Sequence, residues 1–161
     1  MENNKLPVTV VGKQQLEDEL KKLVQKERPR IIRAIEEARS HGDLSENAEY
    51  EAAKEQQSLV EGRIQDIQSK LAAADVIDPS QIQSSTVVFG AHVKLEDCDT
   101  EDSVTYQIVG VDEANVKEGK ISILSPLARA LIGKKKGDIV LVHSPKGEKE
   151  YEIIDFYFTS K

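Results

Sequence analysis

Two carboxylates, Asp43 and Glu46, lie three residues apart in the stretch HGDLSENAEY, residues 41–50, which we call the tip. At the start of a helix this spacing places both side chains on one side of the chain. A pair of carboxylates is what Mg²⁺ commonly takes from a protein when water or phosphate supplies its other ligands. Two ligands alone bind weakly, so the pair predicts acids that complete a metal site supplied by another molecule, where metal-activated water attacks a phosphate.

A structural use of the same residues has to be weighed beside this chemistry. Asp43 followed by Glu46 also resembles a capping box at the start of a second helix, where the aspartate accepts from free amides and both acids favour the helix dipole. On spacing alone, capping is the commoner use of such a pair. The two uses are compatible, and both stay open at this point.

Two heptad-patterned segments flank the tip and must position it. Each carries apolar residues at steps of three and four, the pattern of a narrow coiled-coil stripe. Gly42 follows the first stripe as expected just past a helix end. We therefore predict an antiparallel helical hairpin with the tip at its bend. The stripes are Leu16, Leu20, Val24, Ile31, Ala34, Ile35 and Ala38, and then Ala53, Val60, Ile64, Ile67, Leu71 and Ala74.

Pro29 interrupts the first arm, because proline lacks an amide donor and its ring opposes the carbonyl four residues back. We predict a kink there with the helix resuming, since the apolar stripe continues beyond it. The alternative is two shorter helices broken at Arg28.

The pattern changes to short alternating strands after Asp78 and Pro79. One helix interrupts them from Leu127 to Ile132, with Ser125 as a cap and Pro126 at its first position. The expected fold class is α+β: an N-terminal antiparallel coiled-coil hairpin over 1–77, a linker at 78–82, and a small antiparallel β domain with one short helix over 83–161. The predicted strands are Val88 to Leu95, Val104 to Val111, Ile121 to Leu124, Ile139 to His143 and Glu150 to Phe158, with a hairpin turn at Pro145-Lys146-Gly147.

Composition narrows the function classes. The net charge is -7, and residues 1–77 carry 12 Lys plus Arg against 15 Asp plus Glu, while residues 78–161 carry 10 against 14. Neither half has the basicity of an ordinary nucleic-acid binder. A single Cys98 and three scattered His predict neither a disulfide framework nor a zinc cluster. Without a signal peptide or a membrane-spanning apolar run, a soluble cytoplasmic protein is the expectation.

Several motifs together resemble the Gre family of bacterial transcript cleavage and elongation factors. They are RPRII, AIEEAR, GDLSENAEYEAAKEQQ, EGRI, AHV and SPLARALIGKKKGD, which occur in this order over essentially the whole chain. The resemblance implies a coiled coil that enters the secondary channel of bacterial RNA polymerase and an FKBP-like C-terminal domain seated at the channel rim.

The resemblance further implies what the tip does. The family's acidic pair falls on Asp43 and Glu46, which help to hold a second Mg²⁺ at the polymerase active site, so that the polymerase cleaves the extruded 3′ end of backtracked nascent RNA. The protein is then an activator of polymerase and not itself an enzyme, binds no cofactor alone, and is expected to be a monomer.

Other residues have weaker assignments, each with a structural alternative. Arg39 and Lys54 flank the bend and are candidates for contact with extruded RNA or the channel wall; a solvated coiled-coil flank explains them equally well. Tyr50 either meets the polymerase or packs at the bend. The loop Leu124-Ser125-Pro126 matches the family's contact with a coiled coil of the largest catalytic polymerase subunit, and a capped helix start is its alternative.

Rival functions remain to be compared. The main alternative is a related secondary-channel binder that inhibits polymerase without inducing cleavage, against which the intact GDLSENAEY argues. An unrelated coiled-coil adaptor explains the heptads but not the full set of motifs, and a free-standing nuclease lacks a substrate cleft. Within the family, a more basic subtype handles longer extruded RNA, whereas this acidic coiled coil implies short cleavage products.

Overall fold

The computed structural model describes residues 6–42 and 47–158. The chain divides into two compact units: Lys13–Ala74, and a second unit made of Met1–Gly12 together with Asp75–Lys161. We refer to them as the hairpin unit and the globular unit and describe each by itself.

The hairpin unit consists of two helical arms, and the first helix begins three residues before the unit's boundary at Lys13. The first arm contains α1, Val10–Lys22, then a π-helical turn over Leu23–Glu27 and α2, Arg28–Arg39; the second arm is α3, Ala48–Ala73. Contacts between the arms run in opposite chain directions, from Ala38 with Asn47 near the bend to Glu19 with Arg63 farther away. The predicted antiparallel helical hairpin is therefore confirmed.

A narrow apolar seam joins the arms. Its central cluster contains buried Ile31, Ile35 and Ala53, against which Tyr50 and Val60 pack. Farther along α3, Ile64 and Ile67 are also buried. Because most other helix positions are exposed or only partly buried, the arms bury one stripe each, as the heptad spacing predicts.

Polar contacts reinforce the seam at two levels. The Arg28 guanidinium makes a bidentate pair with Glu61, with nitrogen–oxygen distances of 2.8 and 2.7 Å. Arg63 forms the same kind of pair with Glu19, at 2.6 and 2.8 Å. Bidentate pairing fixes the direction of both side chains. These pairs therefore help to set the alignment of the two arms along their length.

The irregularity at Pro29 takes the form of a π-helical turn. The backbone amide of Arg28 donates to the carbonyl of Leu23, five residues back. Pro29 then occupies the first turn of α2, where its missing amide costs little. Helical structure thus resumes after the proline, as predicted, and the distortion lies in the residues just before it.

The globular unit is built on a five-stranded sheet. Its strands are β3 His92–Asp97, β4 Ser103–Val109, β5 Lys120–Ser122, β6 Ile139–Ser144 and β7 Gly147–Tyr157. Their order across the sheet is β5-β4-β3-β7-β6.

One helix belongs to this unit. The helix α4, Pro126–Leu131, begins at the predicted residue, with Ser125 as its cap. The core contains twelve buried residues, among them Leu95, Ile108, Leu131 and Ile153.

One feature of this sheet corrects the prediction. An all-antiparallel sheet was expected, but β4 and β5 pair in parallel, with Ile108 opposite Ile121. Two short 3-10 turns, Val111–Glu113 and Val116–Glu118, lie in the connection and provide the crossover that parallel neighbours need. The hairpin turn before Gly147 is confirmed, since β6 and β7 pair up to Ser144 opposite Gly147.

A second, two-stranded sheet was not predicted. It pairs β1, Leu6–Thr9, with β2, Ala74–Ile77.

The Glu113 carboxylate is hydrogen-bonded to the end of β1. It accepts from the Thr9 backbone amide at 2.8 Å and also from the Thr9 hydroxyl. That hydroxyl in turn accepts from the backbone amide of Gly12 at 3.0 Å. A Cβ at Gly12 would lie 2.0 Å from the Glu113 Cδ, so glycine is required for this approach.

Candidate functional site

The first arm ends just before the tip acids. The backbone amide of Ser40 donates to the carbonyls of Glu36 and Glu37, and the amide of His41 donates to Ala38 at 3.2 Å. Gly42 follows with φ +106, a left-handed conformation that glycine adopts without a Cβ penalty. The arm therefore stops where the sequence places its end signal.

Asn47 determines where the second arm starts. Its side-chain oxygen accepts from the backbone amide of Tyr50 at 3.1 Å, which makes Asn47 the N-cap of α3. The N-cap of α3 is therefore Asn47, four residues after Asp43, and not the predicted Asp43. Asparagine is favoured at the N-cap about as strongly as aspartate, which is consistent with the cap at position 47.

Asp43, Leu44, Ser45 and Glu46 themselves lie outside the described residues. The structure fixes the chain on both sides of them, at Gly42 and at Asn47. The carboxylate pair thus stays a prediction for metal binding. Within residues 6–42 and 47–158, no three His, Cys, Asp or Glu side chains are grouped so as to hold a metal ion.

The three candidate contact residues near the tip have different environments. Tyr50 is half-buried and packs against the cluster of Ile31, Ile35 and Ala53. Arg39 is exposed in the last turn of α2, where a cation is favoured by the helix dipole. Lys54 is exposed and donates to the Gln57 side chain at 3.1 Å. Tyr50 therefore supports the bend, while Arg39 and Lys54 present their charges to solvent.

Charge around the tip is dominated by carboxylates. Arg39 and Lys54 are the cationic side chains among residues 36–42 and 47–55, whereas five glutamates lie in the same ranges. Such a surface attracts a cation and repels a phosphate. Any attraction for RNA therefore rests on Arg39 and Lys54 or on a metal ion. The glutamates are Glu36, Glu37, Glu49, Glu51 and Glu55.

The second predicted contact region is the loop Leu124-Ser125-Pro126 in the globular unit. Ser125 caps α4 by accepting from the Ala128 amide at 3.1 Å. The Leu124 amide donates to the Ser122 hydroxyl at 3.0 Å, yet its side chain remains 57% exposed. Pro126 is exposed as well. The loop is thus held by its own hydrogen bonds while it presents an apolar surface to solvent.

Asn47 is the residue near the site that the sequence analysis missed. Besides capping α3, its side-chain amide donates to the Ala38 carbonyl of the first arm at 2.7 Å. Its residue type and its place before Ala48 were signals for a helix start. The cross-arm bond had no local signal, because it joins residues nine positions apart through the bend.

No helix of the described residues is long and apolar enough to cross a membrane.

Both parts of the chain match models of one protein family. "Transcription elongation factor, N-terminal" matches residues 6–76, and "Transcription elongation factor, GreA/GreB, C-term" matches residues 82–158.

Individual relatives agree with the family match over nearly the full chain. The transcription elongation factor GreA of Halorhodospira halophila is 57% identical, covering 94% of this chain and 97% of the relative. The GreA of Acidiphilium cryptum is 58% identical over 96% and 98%. A crystal structure of GreA factor homolog 1 from Thermus thermophilus, 26% identical, aligns with a TM-score of 0.44 over 95% of this chain and 99% of that one. The chain belongs to the GreA/GreB family of transcription elongation factors.

Proposed function

We propose that this protein binds RNA polymerase in its secondary channel and stimulates cleavage of the backtracked RNA 3′ end by the polymerase active site. The observation that carries the proposal is that Asn47 is the N-cap of α3, so this cap does not depend on Asp43 or Glu46. The two acids lie in the chain between the arms of a helical hairpin, where they are available for a metal. Family membership supports polymerase as the partner.

In this proposal Asp43 and Glu46 act in trans and the protein is not itself an enzyme. Their oxygen donors are of the type that Mg²⁺ accepts, and two carboxylates leave room for water and phosphate in an octahedral shell. A second Mg²⁺ at the polymerase site would activate water and offset phosphate charge. The chain's own part is to deliver two carboxylates and to hold them.

The cationic residues have a separate role in the proposal. Arg39 and Lys54 are exposed on the two arms close to the tip, so each can contact RNA phosphates or the channel wall. Because glutamates surround them, these two charges offset the repulsion that phosphate would meet. Lysine supplies a point charge at position 54 rather than a planar bidentate donor.

We also propose that the loop Leu124-Ser125-Pro126 docks on a coiled coil of the largest catalytic polymerase subunit. Its exposed apolar side chain on a loop fixed by hydrogen bonds supports this role, since a preformed contact loses little entropy on binding.

The test uses stalled, backtracked elongation complexes with 3′-labelled RNA, in Mg²⁺ and at equal polymerase occupancy. Wild type should release short 3′ fragments, and Asp43→Asn/Glu46→Gln should bind and release none. The matched control, Glu49→Gln/Glu51→Gln, removes the same charge from the first turn of α3 and should cleave at a rate close to wild type.

Different outcomes separate the alternatives. Wild type that binds but releases nothing would favour a channel inhibitor, and wild type that does not bind would reject the polymerase proposal. Equal loss of cleavage in both double variants would show that bulk charge matters rather than the two tip acids. Unchanged helix content in Asp43→Asn/Glu46→Gln is expected, because the Asn47 cap remains.

A further inference from the structure

The side chain of Asn47 is the one polar group that ties both arms together beside the tip acids in the described part of the hairpin. Its amide nitrogen donates to the Ala38 carbonyl at 2.7 Å, and its oxygen accepts from the Tyr50 amide at 3.1 Å. One end of the side chain therefore holds the last turn of α2, and the other holds the first turn of α3.

These bonds lie at the ends of the two arms, on either side of the bend in the chain. Ala38 is 2% exposed, and its carbonyl belongs to the last turn of α2, whose carbonyls lack helical amide donors. The carbonyl also receives the amide of His41 at 3.2 Å. Asn47 thus adds a second hydrogen-bond donor to the Ala38 carbonyl near the end of α2. In the sequence, Asn47 directly follows Glu46.

We propose that Asn47 is a positioning residue for the cleavage reaction, because it fixes the last turn of α2 against the first turn of α3, and Asp43 and Glu46 lie in the chain between these two turns. The inference rests on the proposed function, because it assigns Asn47 a purpose through those acids. Catalytic geometry is sensitive to shifts on the order of 1 Å, and hydrogen bonds behind the reacting groups commonly supply the required precision.

The two bonds of Asn47 can be separated by substitution. Asn47→Ser keeps a good capping oxygen but shortens the side chain, so it loses the bond to Ala38. Asn47→Asp has nearly the same shape and keeps the capping oxygen, while its carboxylate has no hydrogen to donate. Ser is neutral and Asp is charged, so a defect that both share reports the lost cross-arm bond rather than a charge effect.

The matched control lies in the same hairpin. Val60→Ala removes apolar contact with the cluster of Ile31, Ile35 and Ala53 but leaves both Asn47 bonds intact. It loosens the hairpin by packing alone. A structural role for Asn47 would make its variants behave like Val60→Ala, whereas a positioning role would not.

The experiment measures cleavage in backtracked complexes as a function of factor concentration and of Mg²⁺ concentration. We expect both Asn47 variants to lower the rate at saturating factor by about tenfold or more, with half-saturation changed less than about twofold. The Mg²⁺ concentration for half-maximal cleavage should rise. Val60→Ala should keep the saturating rate and the Mg²⁺ dependence of wild type.

Two results would overturn the inference in distinguishable ways. If wild type cleaves and both Asn47 variants match its saturating rate and Mg²⁺ dependence, Asn47 only caps the helix and the proposed function stands. If wild type releases no fragments from complexes it occupies, the proposed function fails and this inference fails with it.

Discussion

The hairpin unit and the globular unit are each stabilised internally by a different kind of contact. The globular unit buries a continuous core of twelve residues between its sheet and α4. The hairpin has a central cluster of three buried residues and adds bidentate ion pairs and a cross-arm asparagine. Burial is non-directional, whereas hydrogen bonds fix alignment. The globular unit is therefore stabilised mainly by core packing, and the hairpin depends more on directed contacts that align its arms.

The largest effect should come from the globular core. Leu131 is fully buried under the sheet, so Leu131→Ala should lower the free energy of unfolding by about 3 kcal/mol, through lost burial and a cavity. Hydrogen exchange of the β3 and β7 amides measures this change separately from the hairpin. Val116→Ala, at a side chain that is 66% exposed, should change it by less than about 0.5 kcal/mol.

The corresponding hairpin variant should cost less. Ile35 is 9% exposed in a seam that borders solvent, so Ile35→Ala should destabilise the hairpin by about 2 kcal/mol, near the lower end for such truncations. Exchange of the α2 and α3 amides reports it, with Ile32→Ala on the exposed face as control. A loss as large as that of Leu131→Ala would contradict the contrast between the two units.

As pH falls, the globular unit should lose stability before the hairpin unit does. Burial, with a smaller contribution from Lys120, lowers the pKa of His92 below its ordinary value of 6.5. The folded state then favours the neutral ring, so this stability is complete above pH 6.5 and is lost as pH falls through the folded pKa. On acidification, the protection factors of amides in the globular unit, which correct for slower intrinsic exchange in acid, should thus fall first, and His92→Gln should remove that step.

The hairpin should respond at lower pH. Hydrogen bonds from Arg63 and Arg28 lower the pKa values of Glu19 and Glu61 from the ordinary 4.5. A carboxylate with a lowered folded pKa contributes stability that is complete above about pH 4.5 and is lost as pH falls through the folded value. A fall in the protection factors of the α2 and α3 amides already between pH 6.5 and 5 would contradict this order.

Removing one directed contact should have a smaller effect. Glu19→Gln replaces a bidentate ion pair by a weaker contact between the cationic Arg63 and a neutral amide, and both side chains at positions 19 and 63 are more than a third exposed in the wild type. After allowance for solvent screening, we expect about 0.5 kcal/mol lost at low salt and less at 1 M salt. Salt-independent destabilisation would show that packing of the side chains, rather than charge, is lost.

The smallest expected effect is that of Pro29→Ala. The new amide adds at most one hydrogen bond to a helix that already continues past the proline through the π-helical turn, so we expect a change within about 0.5 kcal/mol. Circular dichroism of the full chain measures any gain in helix. A gain of more than a few residues would show that the proline itself causes the π-helical turn.

Sequence periodicity predicted the hairpin because both seams repeat over many residues, and it predicted α4 because Ser125 and Pro126 are local signals. It missed what depends on pairing between distant segments. Strands β1 and β2 have four residues each, which is too short to show a usable alternation of apolar and polar residues. They also lie far apart in the sequence, one before the first arm and one after the second. The parallel pairing of β4 with β5 likewise depends on the path of their connection. At the tip, spacing favoured Asp43 as the N-cap of the second arm, whereas the structure has Asn47 as that cap.

The π-helical turn implies that the first arm contains one surplus residue. From Leu16 to Ile31 and from Leu20 to Ile35 the separation is 15 residues, one more than two heptads. In an uninterrupted helix that residue would rotate one half of the seam by about 100° relative to the other. A wide turn over Leu23–Glu27 absorbs it. Loss of a single codon there should be tolerated, whereas the same loss between Ile31 and Ala38 should misalign the arm.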